Sequence, residues 1–223
     1  MDDDPKFFLF DLKMLTGEIT PLWQDDREFL EIYHDIQNFT LVSPFRLYSL
    51  FQFSKLAKNY PGAWAQVGIY KGGSAMMLAR IKQPETPFFL FDTFQGLPKE
   101  DKDKDFYLSG RFADTSVEEV QTHFNQFSNV HIISGLFPDS AAEEHRRLVY
   151  SFVYLDVDLY HSNFNSLEFF YPRMIKGGCI MIDDYGWKNA PGIKTSTNDF
   201  LKKNKIGNLP ILTARYQCLI IKN

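Results

Sequence analysis

Cysteine is scarce. The chain of 223 residues has two, Cys179 and Cys218, both inside apolar runs, so they read as reduced core residues and exclude a disulfide framework. The five histidines show no metal-type spacing, which argues against a zinc site. There is no excess of basic charge: 24 Lys and Arg stand against 28 Asp and Glu, which gives no electrostatic reason to expect a nucleic-acid partner. No apolar stretch reaches membrane-spanning length, and the acidic start, Met1-Asp2-Asp3-Asp4-Pro5, is unlike a secretory leader. A cytoplasmic location without membrane contact is the expectation. Internal repeats and low-complexity linkers are missing as well. So is the GxGxxG spacing of a dinucleotide loop.

What remains is an apolar, aromatic chain. Hydrophobic residues make up 44% and aromatics 16%, with 22 Phe, which is ample for the core of one domain. Residues 1–22 read as an irregular or strand-like arm. From residue 25 to about 59 the pattern is helical, with one stripe of Phe29, Ile32, Tyr33 and Ile36. A second stripe starts at Leu47, behind a Ser43-Pro44 helix start. After residue 60 short apolar runs alternate with helical stretches. Strands are expected at 63–68, 87–91, 130–133, 150–155 and 178–182, and helices at 73–81, 117–127, 162–174 and 194–203. Ser116 and Glu119 look like a capping box. A closing hairpin covers 210–221, and the charged run 99–105 reads as a solvated, mobile loop. Near-continuous apolar strands separated by helices imply a doubly wound, mostly parallel α/β sheet covered on both faces.

Ligands of such sheets bind beyond the carboxyl ends of the strands. Here those ends carry Gly68, Asp92, Gly135, Asp156 and the Asp183-Asp184 pair. The loop Val67-Gly68-Ile69-Tyr70-Lys71-Gly72-Gly73-Ser74 allows close backbone approach and offers helix N–H groups to an anion or carboxylate, although a tight turn without a ligand reads equally well. Asp92, followed by Thr93, is placed to accept the two hydroxyls of a ribose, or simply to cap its own turn. Asp156 and Asp183 end successive runs, and parallel pairing would bring them together. Converging carboxylates repel unless a hard divalent cation such as Mg²⁺ holds them. Asp158, one residue beyond Val157, is left as a bystander.

Several blocks, in this order and spacing, resemble the macrocin-type sugar O-methyltransferases, which include mycinamicin- and novobiocin-pathway enzymes. They are Val-Gly-Ile-Tyr-Lys-Gly-Gly-Ser (67–74), Phe-Asp-Thr-Phe-Gln-Gly-Leu-Pro (91–98), Gly-Leu-Phe-Pro-Asp-Ser (135–140), Leu-Asp-Val-Asp-Leu-Tyr-His-Ser (155–162), Leu-Glu-Phe-Phe-Tyr-Pro (167–172) and Gly-Gly-Cys-Ile-Met-Ile-Asp-Asp-Tyr-Gly (177–186). The resemblance covers roughly residues 40–200. It implies a class I methyltransferase (Rossmann-like) fold with a seven-stranded sheet, extra N-terminal helices in 1–60 and a catalytic domain in 61–223. It also implies S-adenosylmethionine and Mg²⁺ as cofactors, a glycoside or glycan acceptor, and a homo-oligomer.

By the same resemblance Gly68, Tyr70 and Ser74 line the methionine end of the cofactor, with Gln66 and Gly72 in the same loop. Asp92 and Thr93 serve the ribose, and Phe137 lies near the adenine. Asp156, Asp183 and Asp184 are the metal ligands, and Asp156 is also the general base. Three positions depart from the family pattern. Gln66 replaces a usual Glu, which weakens an expected contact to the methionine amine. Tyr70-Lys71 replaces Trp-Arg, and Val157 replaces Gly between the two acids. Two other readings compete: an Asp-x-Asp glycosyltransferase built on Asp156 and Asp158, and a non-catalytic protein on a methyltransferase fold.

Overall fold

A computed structural model describes residues 21–207 and 209–223. The proposed arm at 1–22 lies almost wholly outside the described residues. Two helices come first, α1 (Arg27–Ile36) and α2 (Pro44–Ala57). The α1 helix starts where Asp26 accepts a hydrogen bond from the Phe29 amide at 3.1 Å, and α2 starts with Pro44 at its first position. Then follow β1 (Ala63–Val67), α3 (Gly73–Ile81), β2 (Phe88–Asp92), α4 (Val117–Phe124) and β3 (Val130–Ser134). The second half comprises α5 (Glu143–Arg147), β4 (Tyr150–Leu155), α6 (Tyr160–Phe170), β5 (Met174–Ile182), α7 (Pro191–Lys203), β6 (Ile211–Ala214) and β7 (Gln217–Ile221). No helix among the described residues is long and apolar enough to cross a membrane.

The seven strands are ordered β3-β2-β1-β4-β5-β7-β6. The β1–β5 set pairs in parallel, and β7 joins β5 antiparallel to form the closing hairpin with β6. Alternation along the strands divides the core in two. Trp64, Phe88, Leu90, Phe152, Tyr154 and Met181 face α1–α4 on one side. Ala65, Phe89, Phe91, Val153, Leu155 and Ile180 face α6 and α7 on the other. The N-terminal helices therefore bury Phe29, Leu47 and Phe51 in the same core as the sheet.

Local departures from the sequence expectation have physical causes. Ser116 Oγ does accept from the Glu119 amide at 3.1 Å and starts α4, but that helix stops at Phe124. The α6 helix starts two residues early, at Tyr160, because Asp105 Oδ1 accepts its first amide at 2.8 Å. It ends at Phe170, just before Pro172, and β5 already begins at Met174. Asp105 thus gives the charged 99–105 run a structural anchor. Within that run, Asp105 Oδ2 accepts from the Asp101 amide, and Lys104 Nζ sits 3.5 Å over the Tyr160 ring.

Candidate active site

The strand order reverses direction between β1 and β4, and a crevice opens there above the strand ends. It is a cleft open to solvent. Gly68, Tyr70, Ser74, Asp92, Thr93 and Phe137 all wall it, as do Asp156, Asp158, Asp183 and Asp184. Two of the expected cofactor residues, Gln66 and Gly72, do not.

The strand ladder delivers the acids. The Asp156 amide donates to Val67 O at 3.0 Å and the Asp183 amide to Leu155 O at 2.8 Å, so each acid continues its strand by one residue into the cleft. Leu155 pairs with Ile182, which sets Asp156 beside Asp183 as the parallel register requires. Asp158 (φ 59°) and Asp184 (φ 60°) lie in left-handed backbone, as does Tyr70 (φ 55°). Such conformations cost of the order of 1–3 kcal/mol in non-glycine residues and concentrate at working sites.

Close packing explains the glycines better than ligand approach does. A Cβ on Gly68, at φ +81°, would lie 1.8 Å from the Asp156 carbonyl oxygen. A Cβ on Gly73 would lie 2.7 Å from Thr40 Cβ and 2.8 Å from the Phe39 carbonyl. The loop is tight because β4 and the 39–40 segment press on it. Gln66 is fully buried behind the loop: Nε2 donates to Gly68 O at 2.8 Å and to Ser74 Oγ at 2.9 Å, and Oε1 has no partner. It braces the loop and does not reach into the cleft.

Asp92 is held by three backbone amides. Oδ2 accepts from Ile69 (2.6 Å) and Tyr70 (3.0 Å), and Oδ1 accepts from Phe94 (2.9 Å). The two amides fill the acceptor sites of Oδ2, and Oδ1 keeps one lone pair for a ligand. Tyr70 turns its hydroxyl outward to Asp114 at 2.8 Å, and Lys71 Nζ meets the same carboxylate at 2.8 Å. Thr115 Oγ1 donates to Tyr70 O at 2.9 Å. These bonds tie the strap around 107–115 over the glycine loop. Phe137 is buried between Phe91, 4.7 Å away, and the stacked ring of Phe170 at 5.0 Å.

Electrostatics single out the acid cluster. Withdrawal from water, with the charges of Asp183, Asp184 and Asp158, pushes Asp156 well above the usual carboxylate range. Burial and the facing Asp184 do the same to Asp158. Burial raises Asp183 to about 7 even though Arg46 opposes it. Asp158 lies within the field of the same acids and walls the same cleft.

Sequence reasoning missed Arg46, whose Nη1 donates to Asp183 Oδ2 at 2.6 Å and Asp184 Oδ1 at 2.7 Å. The signal was available, since Arg46 is the one charged residue in the first eleven of α2. Tyr107, Phe112 and Trp187, which form an aromatic wall of the cleft, were missed too. Trp187 Nε1 is buried without a hydrogen-bond partner.

Among the described residues, no three His, Cys, Asp or Glu side chains stand close enough together to hold an ion as they are placed. The donor chemistry nevertheless fits a hard divalent cation. The four acids offer only oxygen donors, and burial together with their mutual repulsion holds Asp156 and Asp158 away from ionisation, a penalty that a hard divalent cation relieves.

The sheet order, the crevice at the strand reversal and the acids at the ends of β4 and β5 define a class I O-methyltransferase fold. Comparison with known proteins agrees. The profile of the macrocin O-methyltransferase (TylF) family matches residues 36–220, and the chain belongs to that family. Demethyldecarbamoylnovobiocin O-methyltransferase of Streptomyces niveus is 25% identical over 170 residues, 69% of this chain and 63% of its own length. A tetracenomycin rhamnosyl 4'-O-methyltransferase of Streptomyces olivaceus is 26% identical over 147 residues, 58% of this chain and 55% of its own. The chain therefore spans less than two thirds of these relatives. The crystal structure of the calicheamicin methyltransferase CalS11 superposes with a TM-score of 0.72 at 18% identity, over 99% of this chain and 94% of that one. Nothing in the family match supports the glycosyltransferase reading.

Proposed function

We propose that this chain is an S-adenosylmethionine-dependent, metal-assisted O-methyltransferase acting on a sugar hydroxyl of a natural product or glycan. The observation that carries this reading is the single cleft that joins a braced carboxylate at the end of β2 to an acid cluster at the ends of β4 and β5. The remaining lone pair on Asp92 Oδ1 suits a ribose hydroxyl. Phe137 and Thr93 flank the nucleoside side, and Gly68, Tyr70 and Ser74 flank the methionine side. Gln66 acts on the cofactor indirectly, through Gly68 and Ser74.

Asp156, Asp183 and Asp184 would hold the cation. Bound there, it would acidify and position the acceptor hydroxyl. A carboxylate spent on the metal is a poor proton acceptor, so the base role expected of Asp156 passes to Asp158, which reaches the same cleft from the next turn. Bound S-adenosylmethionine would supply the methyl group from its sulfonium, and Asp158 would take the proton that the acceptor hydroxyl gives up. The protein's part is alignment, with the oxygen held about 3 Å from the methyl carbon. On the acceptor side Tyr107, Phe112 and Trp187 offer aromatic faces to a sugar ring, and the unpartnered Trp187 N–H offers a donor to one of its oxygens. The relatives, named for methylating a novobiocin precursor and a rhamnosyl tetracenomycin, support a glycoside acceptor.

The test is mass spectrometry of a glycoside panel incubated with methyl-labelled S-adenosylmethionine. Label should appear in a glycoside with Mg²⁺ present and vanish with EDTA. Asp156→Asn should lose both transfer and metal binding, whereas Asp158→Asn should lose transfer and keep the metal. Transfer that persists in EDTA removes the metal, and an active Asp158→Asn variant returns the base role to Asp156. Cofactor binding without transfer to any acceptor would favour the non-catalytic reading.

A further inference from the structure

Arg46 is oddly placed for a structural residue. It is the third residue of α2, where the unpaired amides of the helix start disfavour a cation. Its neighbours along the helix are apolar, and its side chain is only 12% exposed. A single nitrogen, Nη1, serves two carboxylates that are themselves 1% and 4% exposed. The arrangement is braced. Gln217 Nε2 donates to Asp183 Oδ1 at 3.1 Å and to the Arg46 carbonyl at 3.4 Å, and the Trp187 ring lies 5.6 Å from the guanidinium carbon. Burial works against the charge of Arg46, but Asp183 and Asp184 more than offset it.

We propose that Arg46 is the resident counter-cation of the acid cluster: it holds Asp183 and Asp184 when no metal is bound and competes with the divalent ion for those two carboxylates. This rests on the metal reading above. A divalent ion that recruits both acids must displace two short charge-assisted hydrogen bonds and tolerate a nearby positive charge. Arg46 therefore lowers metal affinity while keeping the metal-free cluster folded. Because Arg46 belongs to the first turn of α2, and Val42 just before that turn also walls the cleft, metal loading and the shape of the cleft are linked through this side chain.

The test uses the full chain stripped of metal, titrated with MgCl₂ and MnCl₂ by calorimetry and followed by thermal unfolding with and without metal. Arg46→Met keeps the stem and removes the cation. It should bind either ion at least tenfold more tightly than wild type, melt lower without metal, and gain more from metal. Arg46→Lys, with its charge kept on a shorter reach, should fall between. A variant that folds only when metal is present supports the proposal; one that metal fails to restore overturns it. Equal or weaker binding by Arg46→Met, with wild type binding normally, refutes the role of Arg46 alone. If neither protein binds metal, the metal reading itself fails and the proposal falls with it.

Discussion

Replacing Gly68 by alanine separates two costs that glycine avoids. At φ +81° a Cβ meets the left-handed penalty of about 1–2 kcal/mol. At Gly68 it also lands 1.8 Å from the Asp156 carbonyl oxygen and 2.8 Å from its carbon, both backbone atoms that no rotamer change can move. Forced repacking of this kind typically costs about 1–3 kcal/mol more. Gly110 is the control, because it has nearly the same φ, +83°, and a Cβ there would meet nothing within 4 Å. Gly68→Ala should therefore lose about 4 kcal/mol and Gly110→Ala about 1 kcal/mol. At about 2–4 °C per kcal/mol for a chain of this size, the melting temperatures should fall by about 8–16 °C and 2–4 °C. Urea titration at about pH 8 reads the difference directly. Gly68→Ala must also push Asp156 out of line, and methyl transfer should drop by about 100-fold in whatever fraction stays folded. Equal losses in the two variants would refute the claim that close approach to β4, rather than backbone conformation, fixes Gly68.

Two further outcomes follow from the geometry. His145 is buried against Phe89 and Phe91 and accepts the Ala142 amide through Nδ1 at 2.9 Å, and burial lowers its pKa below the usual value. A depressed histidine stabilises the fold above its unfolded pKa of about 6.5, and that stability is lost as pH falls below it. Unfolding free energy should drop more between about pH 7 and about pH 5.5 in wild type than in His145→Gln, and parallel pH curves would contradict this. Trp187→Phe keeps the aromatic wall but removes the unpartnered N–H. It should raise the acceptor KM several-fold and leave S-adenosylmethionine binding unchanged, whereas a loss of cofactor binding would place Trp187 on the wrong side of the cleft.

The sequence made the fold legible because most of its strands are continuous apolar runs and several helices announce their starts, at Asp26, Pro44 and Ser116. Each of the five parallel strands ends at or just before a glycine or an acid, so the crevice could be placed from the sequence, and the pairing of Asp156 with Asp183 needed only parallel register. Helix α6 was harder, since its start depends on Asp105, a residue distant in sequence whose carboxylate caps it. Arg46 was missed for a related reason. Periodicity marks faces of a helix, and an arginine among apolar residues reads as a snorkelling surface side chain until the opposite element is known. The glycine loop was legible as a loop, but its function was divided differently. Gly68 and Gly73 answer to packing, Gln66 to bracing, and Asp92 with its three amide donors is the part poised for a ligand.

The most direct test of that division is calorimetry of S-adenosylmethionine on wild type and Asp92→Asn. Wild type should show one saturable site, and Asp92→Asn, which removes the charge and at least one amide acceptor, should bind at least tenfold more weakly while still unfolding cooperatively. No heat from wild type at millimolar ligand, or undiminished binding by Asp92→Asn, would contradict the assignment of this cleft as a methyl-donor site.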